Sequence, residues 1–239
     1  MFQKGGGLKS AWQTANQQAG NSAKIWGGLF AFDKNKSFVG NLIRVVSRVT
    51  WELPQTVGGL GYSLLSNTVG QVERVGYYGG ATAVTHNRNS FMMQTGLTLG
   101  SYINGNNTLR ADPNNSLFQH EYGHYTQSQN FGLFYLSKVG IPSLFSKNTA
   151  LSPHTSHPAE QDANIRAFQY FNNHVKDYTG WDRNENTING YNWTLSYLNS
   201  RNQMTLKRGK LNLSWYDYLM GPTIFLPGLV NSLILNSKY

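Results

Sequence analysis

Five consecutive residues, His120-Glu121-Tyr122-Gly123-His124, constrain this chain more than any other feature of it. On a helix, residues four apart project from one face, so the two imidazoles can reach one ion. Glu121, rotated by about 100°, reaches a water beside it instead. The chain has no cysteine, which removes thiolate ligands and disulfides together, so a metal must be held by His, Asp or Glu. The expected ion is Zn2+, and a catalytic zinc takes three protein ligands while keeping one position open.

The third ligand must come from elsewhere in the sequence. The metzincin pattern requires Gly at 127 and His at 130, where this chain has Gln127 and Asn130, and an inverted H-x-x-E-H is absent. Carboxylates are scarce, 11 in 239 residues, so their positions carry information. Glu160 follows His157-Pro158, a pair that suits a helix start, and Asn164 comes one turn later on the same face. In that register Glu160 can bind the metal while the Asn164 carbonyl accepts the outer N–H of His120 or His124. The alternative gives Glu160 a helix-dipole role and makes His157 or His154 the ligand. Asp162 is expected on another, exposed face. An oxyanion donor can come from His174, Arg166 or a tyrosine, and the sequence does not choose. Gly123 lowers helix propensity and so calls for a reason, such as close approach of another element behind the metal.

Periodicity places these residues in an α+β fold. Residues 1–37, rich in Gly, Gln and Asn, read as a loosely packed arm or linker, with one catalytic unit over 38–239. Leu42, Val45, Val46 and Val49 fall at helical spacing between Phe38 and Trp51, and Pro54 suits the first turn of a second helix. Two-residue alternation at Ala81 to His86 and Leu97 to Ile103 predicts strands of a small antiparallel sheet, interrupted by Gly79-Gly80 and Gly96. A helix is expected over Leu117 to Asn130, stopped by Gly132, and another from Pro158 to His174. Further strand-like patches lie at Tyr191 to Leu198 and Met204 to Trp215.

The net charge of +9 favours acidic partners in principle, but the cations are dispersed and no nucleic-acid motif accompanies them, so no specific nucleic acid is expected. No stretch approaches the length of a membrane span. Phe131 to Phe145 and Thr223 to Leu235, both broken by Pro and Gly, read as packing segments, and membrane contact is not expected. Met1 to Gly7 lacks the apolar core of a secretory signal, so export would use another route or a segment upstream.

H-E-x-x-H with a distant Glu resembles the gluzincin superfamily of zinc metallopeptidases, and Glu160-Gln161-Asp162-Ala163-Asn164 is similar to the E-x-x-A-D of the CAAX prenyl endopeptidase type, with Asn164 in place of Asp. The resemblance implies a zincin-like fold with His120, His124 and Glu160 on zinc, Glu121 activating water, and a peptide or protein substrate paired to a strand edge at Ala81 to His86 or Leu97 to Ile103. From about Val49 to Asn172 the chain also looks like a domain found at the C-terminal end of bacterial Rhs/YD-repeat proteins. Trp51-Glu52-Leu53-Pro54-Gln55, Gly79-Gly80-Ala81-Thr82 and Gly140-Ile141-Pro142-Ser143 carry that likeness. It implies a secreted effector or toxin context, with an immunity protein as a further partner. The rival expectation is a non-catalytic zinc-binding docking or processing module of a larger surface protein.

Overall fold

The polypeptide is organised around a short sheet with helices on both faces. The structure, a computed structural model, describes residues 7–88, 90, 96–145, 157–176 and 178, and two short paired strands, Thr187–Ile188 and Tyr191–Asn192. In chain order the elements are α1 (Leu8–Gly27), α2 (Phe38–Arg48), α3 (Leu53–Thr68), β1 (Val72–Tyr78), β2 (Ala81–His86), β3 (Gly96–Leu99), β4 (Tyr102–Gly105), α4 (Ser116–Phe131), a short α5 (Ile141–Leu144) and α6 (Pro158–His174). His154 and the patches beyond Asn192 lie outside the described residues, as does Thr223 to Leu235. Among the described residues no helix is long and apolar enough to cross a membrane.

The α+β expectation holds, but the sheet is mixed rather than antiparallel. Its order is β1-β2-β4-β3, with β2 and β4 parallel, from Thr82 opposite Tyr102 to Thr85 opposite Gly105. The single strand expected over Leu97 to Ile103 is a hairpin, because Gly100 takes a positive φ of 60° and turns the chain back on itself. β2 therefore has neighbours on both sides and no free edge, whereas β3 lies at the sheet's end.

Period-two alternation sorts side chains to the two faces. Ala81, Ala83 and Ile103 join Phe118, Tyr122 and Tyr125 of α4 and Ala167, Tyr170 and Phe171 of α6 in one core cluster. Val84 and Tyr102 face the other way and pack with Val72, Val75 and Ile25 of α1. The sheet is thus covered by α4 and α6 on one side and by α1 and α3 on the other.

Two helices depart from the sequence reading. The stretch read as a loose arm is, from Leu8, a helix with Ile25 fully buried. Amides attach it: Asn21 Nδ2 donates to the Val72 carbonyl at 3.2 Å, and Asn67 Nδ2 of α3 donates to the Gln18 carbonyl at 2.7 Å. Hydrogen-bonded Asn and Gln leave no hydrophobic stripe, so periodicity misses such a helix. α2 forms where expected but is turned inside out. Its polar residues Asn41, Ser47 and Arg48 are buried, while Leu42, Val46 and Val49 are exposed. The reason is a set of backbone acceptors beneath it. Arg48 donates to the carbonyls of Gly28, Leu29, Ala31 and Gly80 at 2.6 to 3.1 Å, and Arg44 reaches Asp33 and the Gly79 carbonyl at 3.0 Å. Leaving such carbonyls unpaired in the interior would cost more than exposing aliphatic side chains.

α4 begins at Asn115, whose Oδ1 accepts from Phe118 N at 2.9 Å, and ends at Gly132 with a positive φ of 52°. α6 begins at His157, whose Nδ1 accepts from the Ala159 amide. The two helices cross where Gly123 meets Ala163. A Cβ at 123 would lie 2.0 Å from the Ala163 carbonyl oxygen, so only Gly permits the approach.

Gly123→Ala gains about 1 kcal/mol of helix propensity yet must push two backbones apart, a net loss of about 1–3 kcal/mol. Urea unfolding should show a lower midpoint with unchanged slope, and equal stability would mean the helices part at no cost.

Candidate metal centre

Contact between α4 and α6 brings His120, His124 and Glu160 together. Their ligand atoms all lie within 4.8 Å of one another, and all three residues are buried. Glu160 Oε2 sits 3.1 Å from His120 Nε2 and 3.2 Å from His124 Nε2. Two zinc bonds of about 2.0–2.1 Å at a tetrahedral angle separate ligand atoms by roughly 3.3 Å, so the spacing suits a small divalent ion.

The outer faces of the imidazoles decide which nitrogen is available. Asn164 Oδ1 lies 2.9 Å from His120 Nδ1, the bond expected from E-x-x-A-N. His124 Nδ1 is held by a residue the sequence reading passed over, Gln127, whose Oε1 lies 2.7 Å away. The Gln127 amide nitrogen donates to the Ala159 carbonyl and to Asp162 Oδ2, both at 2.8 Å, which leaves its oxygen for His124. A neutral ring held in this way carries its proton on Nδ1 and aims its Nε2 lone pair at Glu160. Those lone pairs and the carboxylate call for positive charge between them, either a metal ion or, in the metal-free protein, the protons that make each Nε2 a donor, so the donor set fits a metal ion.

Asp162, expected on an exposed face, is fully buried. It receives Gln127 and the Arg166 guanidinium, whose Nε lies at 2.6 Å, so this acid supports the His124 side of the site. Arg166 is held there and also lies over the Phe131 ring, while His174 packs edge-on against Tyr170. His157 caps α6, and the group that can hold a metal among the described residues is His120, His124 and Glu160. Glu160 stands in the first turn of α6 as read, but its carboxylate is turned to the imidazoles, and Ser143 donates to its other oxygen. Gln127 is recoverable from sequence as the residue one turn past His124; Ser143 and Asp162 needed the packing.

Glu121 stays apart from the three. Thr98 Oγ1 of β3 donates to its Oε2 at 2.7 Å, and the Tyr135 hydroxyl donates to the Thr98 carbonyl at 2.9 Å. Gly96 lies so close to Glu121 that an added Cβ would overlap the carboxylate. The edge strand therefore runs directly along the Glu121 carboxylate.

Charge coupling within the group is strong. Burial disfavours the imidazolium of His124, but the Glu160 carboxylate outweighs it and pushes the pKa up to about 9; His120 is shifted in the same direction for the same reason. Burial likewise works against the Glu160 charge, yet the two imidazoles hold it well below the usual carboxylate range.

Metal-free protein should show this coupling in its stability. His124 has a folded pKa above its ordinary 6.5, so its contribution is complete below 6.5 and is lost as pH rises through about 9. Glu160 contributes above its ordinary 4.5 and loses that contribution as pH falls through its lower folded value. Urea midpoints in chelator should therefore decline on both sides of a plateau between 4.5 and 6.5, and Glu160→Gln should flatten the alkaline side. A profile identical in wild type and variant would contradict the pairing.

In comparisons with protein-family models, curated proteins and solved structures, no match to this chain is found.

Proposed function

We propose that the chain is a gluzincin-like peptidase that hydrolyses peptide bonds with a zinc ion held by His120, His124 and Glu160. The observation that carries this reading is the separation of roles among the buried acids. One carboxylate meets both imidazoles, while Glu121, on the same helix as both His residues, is held away from the cluster by Thr98. A carboxylate held beside the group but not within it is the arrangement that water activation requires.

A bound zinc would polarise the scissile carbonyl and acidify water. Glu121 would accept the proton of the attacking water and return it to the departing amine, so that one carboxylate serves as base and then as acid. Thr98 fixes the Glu121 rotamer, which keeps its free oxygen pointed along the edge strand. β3 is the strand to which an extended substrate would pair, since β2 is enclosed by β1 and β4. The Thr98 carbonyl already accepts from Tyr135, so substrate pairing would fall to the Gly96 end. The likeness to Rhs-associated domains adds a secreted effector context to this reading.

Glu121→Gln in the zinc-reconstituted protein should lose roughly a hundred- to ten-thousand-fold in peptide cleavage while keeping one zinc per chain. Cleavage that persists in this variant would remove Glu121 from the reaction. Gly96→Ala should also lower turnover with metal content unchanged, because its methyl group displaces the Glu121 carboxylate. Full activity in that variant would show that the strand and the carboxylate are not in register.

A further inference from the structure

Among the described residues, the outward face of α2 is left without a partner by the inversion described above. Phe38, Val39, Leu42, Ile43, Val46 and Val49 form one continuous stripe, with exposures from 42 % at Val46 to 72 % at Phe38. Phe30 and Phe32, on the turn leading into the helix, are 66 % and 52 % exposed. Lys34 and Lys36 stand exposed between Phe32 and Phe38, and Lys24 stands exposed beside the half-exposed Trp26. From Leu8 to Trp51 the only acid is Asp33, which is fully buried and paired with Arg44.

We infer that this face docks on an anionic lipid bilayer, with the aliphatic stripe of α2 in the acyl boundary and Lys24, Lys34 and Lys36 among the headgroups. Three observations select that occupant. The stripe offers six hydrocarbon side chains and no hydrogen-bonding group among them, whereas protein interfaces average about one hydrogen bond per 100–200 Å². From Leu8 to Trp51 the exposed charges flanking the stripe are cationic and include no acid, which complements phosphatidylglycerol or similar headgroups. A second copy of the chain would bring this cationic rim against another of the same sign, which opposes self-association. The sequence reading expects no membrane contact, and weighs it on Phe131 to Phe145 and Thr223 to Leu235 rather than on α2. A surface helix of eleven residues needs no span, and its apolar side was expected to face the core.

The full chain should co-sediment with vesicles of phosphatidylcholine and phosphatidylglycerol, bind phosphatidylcholine alone more weakly, and release as salt rises. The double variant Ile43→Glu/Val46→Glu should bind about tenfold more weakly with an unchanged melting curve, because both side chains are already exposed. Lys34→Glu/Lys36→Glu should weaken binding to the mixed vesicles and leave binding to the neutral ones as it was, a readout that survives should the first variant not fold. Wild-type protein that fails to sediment with mixed vesicles would overturn the inference, as would binding as strong as wild type by both variants. A wild-type dimer abolished by Ile43→Glu would instead assign the face to a second copy and overturn it equally. None of these readouts depends on hydrolysis, so failure here leaves the peptidase proposal untouched.

Discussion

Everything at the His120–His124–Glu160 group depends on how closely α4 and α6 approach. Gly123 and Ala163 bring the two backbones together without an intervening side chain, and Ala163 is fully buried in that contact. The Ala of Glu160-Gln161-Asp162-Ala163-Asn164 is thus a spacing element. One residue C-terminal to it, Asn164 reaches His120, and three residues N-terminal to it, Glu160 reaches both Nε2 atoms. Any side chain at 123 would have to separate helices whose positions bring ligands from two sequence segments within bonding range.

What the sequence made legible follows from how local each signal was. The His120-to-His124 spacing, the helix over Leu117 to Asn130, the Glu160–Asn164 register and the need for Gly at 123 all rest on helix geometry, which a few residues specify. The mixed sheet order rests on a long-range choice, and alternation in Ala81 to His86 is the same whether its neighbour runs parallel or antiparallel. α1 and α2 were misread for a shared reason. Their attachments are Asn, Gln and Arg groups reaching backbone carbonyls, and a hydrophobic stripe identifies the inner face only when the core beneath it is apolar. Asp162 was misplaced because its burial is made tolerable by Arg166 and Gln127, partners that appear only once α4 and α6 are packed.

The polar groups behind the imidazoles are amides, and the carboxylate stands one step further back. Asn164 and Gln127 orient the rings without adding charge, while Asp162 is neutralised locally by Arg166. For a divalent ion between two neutral imidazoles and the Glu160 carboxylate, the remaining unit of positive charge is matched by Glu121. A carboxylate in place of Asn164 would add a further buried negative charge, and uncompensated charge in an interior is costly. Neutral orienting groups at Asn164 and Gln127 avoid that cost.

The inverted helix connects to this centre through a buried bridge. Ser47, at the inner end of α2, donates to Glu52, and Ser128, one turn beyond His124 on α4, donates to the other oxygen of the same carboxylate. Burial pushes the Glu52 pKa up, against the two serine hydroxyls and Arg48, so the bridge sits where any loosening admits water to a strained charge. The inner side of α2 therefore belongs to the same hydrogen-bonded framework that fixes the end of the His120–His124 helix. Its outer side contributes little to that framework, since exposed aliphatic groups add almost nothing to folding free energy. One helix in this way leaves its aliphatic side outward while its polar residues hold the His120–His124 helix inward.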